Sequence, residues 1–174
     1  IRQTSYWDLK KIIKYKKKDN QKNNNIQSQT EAVLNNSVKK HMISDVPIGC
    51  FLSGGIDSSL IAALMQKNSS KKIETFNIGF KDKNLDESFY AHQVSKSLGT
   101  KHNNVIFDNK NIIDLVPKLN TIYDKPFADS SQLPTILLSL ITKKKVKVAL
   151  SGDGGDELFG GYNRYNWAKK INFF

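Results

Sequence analysis

The sequence contains a single cysteine, Cys50, which excludes an internal disulfide. Cys50 lies in an apolar run, and this position indicates a buried structural thiol rather than a nucleophile. No apolar run approaches the length that crosses a bilayer, and no segment resembles a signal peptide. These absences predict a cytoplasmic enzyme without a membrane partner.

Histidine is scarce, and aromatic residues are not interleaved with the basic ones. His41, His92 and His102 follow no metal-ligand spacing, so we expect surface or packing roles for them. Lys and Arg number 27 against 16 Asp and Glu, a formal charge of +11 that can indicate nucleic acid. The lysines are spread along the chain without stacking aromatics, and we therefore predict no nucleic-acid partner.

The length suits one domain or one large piece of a bigger protein, with 174 residues of which 39% are hydrophobic. The sequence begins at Ile1 without a methionine, so we expect that the true N-terminus is missing. Residues 1–27 contain Tyr6, Trp7 and a polar Lys/Asn-rich tract without periodicity, which predicts a connector. The predicted domain is residues 28–174.

One stretch joins an apolar run to an apolar-periodic segment through a glycine hinge. Residues 46–52 are nearly all apolar, which predicts a strand buried on both faces of a parallel sheet. After the hinge, a helix is predicted with one apolar side. The residues of that side are Leu60, Ile61, Leu64 and Met65.

The hinge itself predicts a phosphate-binding loop. Gly54 and Gly55 permit positive φ and close approach of a ligand to the backbone. Hydroxyls of Ser53, Ser58 and Ser59 add donors beside a helix N-terminus, where an anion is favoured. A strand-turn-helix whose glycines serve packing alone is the alternative.

Two common nucleotide motifs are absent from the hinge, which has neither the lysine of a P-loop nor a Gly-x-Gly-x-x-Gly turn. Asp57 lies among the phosphate donors, where a bare carboxylate would repel the ligand unless a divalent cation bridged the two. We therefore predict that Asp57 is a magnesium ligand.

The remaining periodicity predicts an α/β fold with an open, doubly wound parallel sheet and helices on both faces. A capping box at Ser28 predicts a helix to residue 43, and Gly99 is the predicted C-cap of a later helix. A turn is predicted at Pro126. The other predicted strands are residues 72–80, 102–107 and 146–150, and the other predicted helices are residues 86–99 (with Phe89, Val94 and Leu98 inward), 112–123 and 135–141.

A second glycine-rich stretch, residues 151–162, follows the last predicted strand. Both glycine-rich loops leave the C-terminal ends of strands, so in this fold they can face one another across one crevice. Asp57 and an acid of the second loop could then hold magnesium between them. A calcium loop fails the EF-hand spacing, and a solvated acidic turn is the remaining alternative.

These residues carry a resemblance. Residues 53–58, Ser-Gly-Gly-Ile-Asp-Ser, resemble the pyrophosphate loop of the ATP pyrophosphatase (PP-loop) superfamily, whose fold is adenine nucleotide alpha hydrolase-like. With residues 124–131 and 151–162, the match narrows to the synthetase domain of glutamine-dependent asparagine synthetases and covers residues 28–174. By position, the resemblance implies nucleotide contacts at Leu52, Ile78, Ser151 and Gly152. It implies pyrophosphate contacts at Ser53, Gly54, Gly55, Asp57 and Ser58. The implied magnesium ligands are Asp57 and Asp156.

The resemblance implies ATP and Mg²⁺ as cofactors and an amide ligase that forms asparagine from aspartate through β-aspartyl-AMP. It also implies ammonia from a glutaminase domain in cis, a catalytic lysine downstream of Phe174, and hence a fragment that is inactive alone. A homodimer is left open.

Asp153 is the implied catalytic residue, and it stands where many family members have glutamate. This departure keeps open an amidotransferase that acts on another carboxylate in polysaccharide or secondary-metabolite biosynthesis. A tRNA-modifying adenylyltransferase is a remoter alternative, which the second loop disfavours. A degenerate nucleotide-binding module would be expected to lose Asp57 or Asp156, and both remain.

Overall fold

The computed structural model describes residues 3–16, 25–82, 86–125, 128–165 and 167. The chain divides into two compact units, Ile1–Leu34 and Asn35–Phe174. The first unit contains helix α1 (Leu9–Lys16) and the start of α2 (Ile26–His41). The second unit contains a parallel sheet and the helices that connect its strands.

The sheet has four parallel strands in the order β3-β2-β1-β4. They are β1 (Ile48–Phe51), β2 (Glu74–Phe80), β3 (Lys101–Phe107) and β4 (Val148–Leu150). The chain adds β2 and β3 on one side of β1 and then returns to add β4 on the other side. This reversal places the topological switch point between β1 and β4, and it confirms the predicted doubly wound fold class.

Helices cover both faces of this sheet. The first two crossovers are α3 (Ile56–Lys67) and α4 (Ser88–Leu98), whereas α5 (Asn109–Leu115), α6 (Leu119–Ile122) and α7 (Gln132–Thr142) connect β3 to β4. Crossovers between parallel strands are right-handed, so the reversal after β3 puts the last group on the opposite face. Accordingly, α3 packs on β1 and α4, and α7 packs on β2 and β3.

The core lies around the two central strands. Cys50, Leu52, Thr75 and Phe76 are almost fully buried. Such continuous burial follows from helices on both faces. Burial also raises the pKa of the Cys50 thiol to about 12, so the sulfur stays protonated and the prediction of a structural cysteine holds.

Two helix starts differ from the sequence prediction. The tract predicted as a connector contains α1, which Asp8 caps by accepting hydrogen bonds from two first-turn N–H groups at 2.9 and 3.3 Å. The helix predicted to start at a Ser28 capping box begins at Ile26. Thr30 Oγ1 donates to the Ile26 carbonyl at 2.8 Å, so Thr30 lies within the helix and the capping box was wrong.

The inward faces of α3 and α4 were also partly mispredicted. Leu60 is 39% exposed and Phe89 is 63% exposed, although both were expected to face the core. Packing of α3 and α4 against each other and against the strands determines which side chains are buried, and Leu64 and Met65 are buried as predicted. The buried residues are Ser58, Ala62, Leu64 and Met65 in α3 and Ala91 and Ser95 in α4.

The helix predicted over residues 112–123 is interrupted. Pro117 lies in a 3-10 turn (Val116–Lys118) that separates α5 from α6, because proline cannot donate the hydrogen bond that a continuous helix requires. The predicted C-cap Gly99 is confirmed, with φ +70°. The turn predicted at Pro126 lies outside the described residues. None of the helices described is long and apolar enough to cross a bilayer.

Candidate functional site

A cavity of about 630 Å³ lies at the switch point. Its walls include the segment after β1, which we call the first loop (residues 52–55), and the segment after β4, which we call the second loop (residues 151–154). The first loop leads into α3, and the second leads into the short helix α8 (Gly155–Phe159). The fold therefore brings the two glycine-rich segments of the sequence to one cavity.

Hydrogen bonds between two serines fix the first loop. Ser53 donates to Ser58 Oγ from its backbone N–H at 3.2 Å, and the two hydroxyl oxygens are 2.9 Å apart. Ser58 Oγ donates to the Gly55 carbonyl at 3.2 Å, and the Gly55 N–H donates to Ser53 Oγ at 3.2 Å. The loop and the first turn of α3 thus form one closed network. Gly55 is the N-cap of α3 and has no side chain to occupy the first N–H groups of that helix.

Gly54 has the positive φ that the sequence analysis expects. Its φ is +92°, and a Cβ there would lie 2.5 Å from the Ala91 backbone N and 2.7 Å from Tyr90 Cβ. Only glycine allows both this backbone conformation and this approach to α4. Gly54 is not among the described residues that line the cavity, and it shapes the turn that leads into α3.

Ser59 is also placed differently from the sequence prediction. Its Oγ is buried and has no hydrogen-bond partner within the described part of the chain. It follows Ser58 on the helix and therefore points about 100° away from it. The expectation that Ser59 supplies a donor beside the ligand was wrong.

The second loop and the start of α8 touch the first turn of α3 through two glycines. A Cβ at Gly155 would lie 2.5 Å from the Asp57 carboxyl carbon, and a Cβ at Gly152 would lie 2.7 Å from the Ser58 backbone N. Any side chain at either position would push the loops apart. The glycines that the sequence places after β4 therefore allow the second loop to pack against the start of α3.

Five described carboxylates line the cavity: Asp57 of the first turn of α3, Asp153 of the second loop, Asp156 and Glu157 of α8, and Glu87 just before α4. Asp57 and Asp156 are partly buried, and Asp153 is exposed. Ser151 Oγ donates to Asp153 Oδ2 at 3.0 Å, which holds this carboxylate at the cavity wall. Among the residues that the structure describes, no cluster of three or more metal-ligating side chains is present.

This arrangement fits Mg²⁺ better than a metal held entirely by protein. Mg²⁺ is usually bound by one or two carboxylates together with water and substrate phosphates. Asp57 and Asp156 supply two carboxylates to one cavity, and the approach of Gly155 to Asp57 brings their two segments into contact.

A tyrosine and a glutamate of the same wall form a pair that the sequence analysis did not assign. Tyr162 Oη donates to Glu157 Oε1 at 2.7 Å. This bond raises the pKa of Tyr162 and lowers the pKa of Glu157. The charge of Arg164 lowers the pKa of Glu157 further. The Arg164 guanidinium carbon lies 3.9 Å from the centre of the Tyr162 ring. Tyr162 and Glu157 both lie in the second glycine-rich stretch, residues 151–162. Their position in that stretch was the sequence signal that could have assigned them to the site.

The remaining wall is largely apolar and combines the C-terminal ends of β1 and β2 with the first turn of α7, an element that the sequence did not connect to the site. Its polar side chains are Thr135, the buried amide of Asn77, and Glu87 just before α4. The missed residues are Phe51, Ile56, Phe76, Asn77, Phe80, Glu87, Pro134, Thr135, Leu138 and Gly154.

All predicted site residues except Gly54 border this single cavity. They are Leu52, Ser53, Gly55, Asp57, Ser58, Ile78, Ser151, Gly152, Asp153 and Asp156.

Comparisons with known proteins find similar sequences over most of this chain. The family model described as asparagine synthase matches residues 29–173. Asparagine synthetase [glutamine-hydrolyzing] 1 of Bacillus subtilis is 41% identical over 129 residues, which cover 74% of this chain and 20% of that protein. A Methanocaldococcus jannaschii relative that carries an asparagine synthetase name is 42% identical over 176 residues, which cover 99% of this chain and 33% of its own length. The chain thus spans a third or less of these curated relatives.

Two solved synthetase structures share the fold. The NH3-dependent NAD synthetase of Campylobacter jejuni superposes with a TM-score of 0.52 at 18% identity, over 78% of this chain and 60% of that chain. The NMN synthetase of Francisella tularensis superposes with a TM-score of 0.56 at 16% identity, over 78% of this chain and 58% of that chain. At such low identity these similarities concern the fold alone.

Proposed function

The chain belongs to the asparagine synthase family, and on this premise we propose that it is the adenylating part of an ATP-dependent amide ligase. The full-length protein would form asparagine from aspartate through a β-aspartyl-AMP intermediate. The observation that carries the proposal is the contact between the two glycine-rich loops at one cavity, because adenylation requires the nucleotide, its departing pyrophosphate and the acyl group to meet at one place.

The residues around the cavity have different proposed roles, which follow from their chemistry. Leu52 and Ile78, together with Ser151 and Gly152, offer apolar surface and backbone groups to the nucleotide. Ser53, Gly55 and Ser58, with the first turn of α3, offer donors to the pyrophosphate, and Gly54 shapes this loop. Asp57 and Asp156 would hold Mg²⁺. When bound, the metal would supply positive charge that offsets the negative charge of the phosphates.

The proposed chemistry has two steps. A carboxylate oxygen of aspartate forms a bond to the α-phosphorus of ATP, and the bond from that phosphorus to the bridging oxygen of pyrophosphate breaks. Ammonia then attacks the acyl carbon, AMP leaves with its oxygen, and the nitrogen gives up a proton. Aspartate is ionised at neutral pH, so the first step requires no histidine base. Donors fixed before the reaction contribute most, because they need not reorganise as charge moves.

The nitrogen source and the domain limits belong to the proposal as well. Relatives of this chain are named glutamine-hydrolysing, and this supports a glutaminase domain in cis that delivers ammonia. Residues 28–174 would then be part of the synthetase domain, joined to the glutaminase by residues 1–27.

The identity of the carboxylic acid depends on Asp153. Its exposed carboxylate lies on the cavity wall, where it can contact the acyl group, and it is one methylene shorter than glutamate. A shorter side chain leaves room for an acid larger than aspartate, which supports as a second candidate an amidotransferase acting on another carboxylate.

Product formation by the full-length protein tests the proposal. With ATP, Mg²⁺, aspartate and an ammonium salt, we expect asparagine, AMP and pyrophosphate in equal amounts. Release of AMP with a different acid, but not with aspartate, would leave the adenylation site standing and remove asparagine as the product. Hydrolysis of ATP to ADP and phosphate would contradict the proposal itself.

A further inference from the structure

The edge of the sheet opposite the cavity carries a row of lysines. We call it the basic edge, and define it as Lys71, Lys72, Lys101, Lys143, Lys144, Lys145 and Lys147, all of which are exposed. In the sequence these residues lie in three separate places. They gather in space because each group directly precedes a parallel strand or ends a helix that leads into one.

Contacts show that these strand starts adjoin one another. Glu74, the first residue of β2, lies 3.8 Å from Lys101 Nζ and 3.9 Å from Lys145 Nζ. The Lys147 backbone N–H donates to the Pro47 carbonyl at 3.0 Å, which joins the start of β4 to the start of β1. Four neighbouring strand starts span about 14 Å, since strands lie about 4.8 Å apart.

Among the described residues, ion pairs neutralise little of this positive charge. Glu74 pairs with two of the lysines, and Asp45, just before β1, is the other acid close to the row in sequence and sheet position. In the part of the chain that the structure describes, no carboxylate lies within ion-pair distance of Lys71, Lys72, Lys143, Lys144 or Lys147. The C-termini of α3, α4 and α7 favour positive charge at this edge. Each C-terminus accounts for about one lysine, which is fewer than the basic edge contains.

The chemistry of the row favours phosphates over a protein surface. Lysine is depleted in protein–protein interfaces, whereas interfaces with nucleic acid are much more positively charged. Lysine is also a flexible point charge without the forked geometry of arginine, so it suits a repeated anion better than one carboxylate. A duplex presents one charge for about every 1.7 Å, which amounts to about eight charges along 14 Å.

We propose that the basic edge binds the phosphate backbone of duplex nucleic acid without sequence preference, independently of the cavity at the opposite edge. We predict no nucleic-acid partner from the sequence because the lysines are spread along the chain. The parallel topology, however, brings these lysines together in space. Stacking aromatics are not required for contacts made to the backbone alone.

Anisotropy of a labelled random-sequence duplex of about 20 base pairs tests the proposal on the full-length protein, over salt concentrations from about 50 to 200 mM. We expect the affinity to fall steeply with salt. Combining Lys72→Gln, Lys144→Gln and Lys147→Gln should lower the salt slope by about 3 and weaken binding more than about tenfold at low salt. A matched control, Lys81→Gln with Lys110→Gln and Lys118→Gln, removes the same charge from parts of the second unit away from the basic edge and should change binding little.

Two results would overturn the proposal: the duplex is not bound by the wild-type protein at low salt, or both triple variants weaken binding equally. Binding of labelled polyglutamate by a protein that does not bind the duplex would assign the edge to an acidic protein instead. ATP–pyrophosphate exchange should be equal in the wild type and both variants, which shows that the folded site is intact in each.

Discussion

At the scale of single residues, the site depends on where small side chains permit contact. Gly155 and Gly152 let the second loop reach Asp57 and the Ser58 backbone, and Gly54 lets the first loop reach α4. Neighbouring serines have opposite environments: Ser58 Oγ is hydrogen-bonded to two residues of the first loop, Ser53 and Gly55, whereas Ser59 Oγ is buried without a described partner. Their positions in the sequence did not distinguish these environments, because both follow the same glycine hinge.

This pair gives a prediction with an internal control. Ser58→Ala should lower the free energy of unfolding by about 1–2 kcal/mol, because the Ser53 N–H and the Gly55 carbonyl lose their partner, and it should raise the KM for ATP. Ser59→Ala removes a hydroxyl that has no described partner, so it should leave stability unchanged or slightly raised. Denaturant unfolding and exchange kinetics measure both effects. Equal destabilisation by the two substitutions would contradict the network of the first loop.

At the scale of elements, the strands were more predictable than the helix faces. β1 and β4 follow from apolar runs and β2 from alternating apolar residues, whereas β3 begins with four polar residues and is apolar only from Val105 to Phe107. The strand order is that of a doubly wound sheet, in which the chain reverses. Exposure of Leu60 and Phe89 was not predictable from periodicity, because the faces are set by which side chains fit between α3, α4 and the sheet. The helix α1 was missed because the polar Lys/Asn-rich tract dominated the prediction, although the apolar residues of α1 repeat at helical spacing after the capping Asp8.

The pairing of β2 with β3 gives a pH-dependent prediction. Thr75 Oγ1 lies 3.1 Å from His102 Nδ1, and the His102 and His92 ring centres are 6.3 Å apart. Partial burial and the charge of His92 lower the pKa of His102. At about pH 6.5 the unfolded chain therefore binds a proton at His102 more readily than the folded chain does. The contribution of neutral His102 to the free energy of unfolding is present above that pH and is lost as the pH falls.

We expect the Tm of the wild type to be lower at about pH 5.5 than at about pH 7.5, and His102→Gln should reduce this difference. His41→Gln, at the exposed end of α2, is the matched control and should keep the wild-type dependence. Thermal unfolding at the two pH values measures the effect. If His102→Gln and the wild type lose the same Tm on acidification, the histidine is not the source.

At the scale of the whole molecule, the parallel topology gives the two edges of the sheet opposite characters. The C-terminal edge collects glycine-rich loops and carboxylates around one cavity, and the N-terminal edge collects lysines. Both glycine-rich loops were predictable, since the motifs lie directly after apolar strands. The wall from α7 and the basic edge were not predictable, because they unite segments that are distant in the sequence.

The proposed function requires that the two loops form one site where an acid is adenylated. ATP–pyrophosphate exchange by the full-length protein with Mg²⁺, run with and without aspartate, tests this claim most directly. We expect exchange that depends on aspartate, because only reversible formation of an acyl-adenylate returns labelled pyrophosphate to ATP. Absence of exchange with aspartate and with any other carboxylic acid tested would contradict the claim.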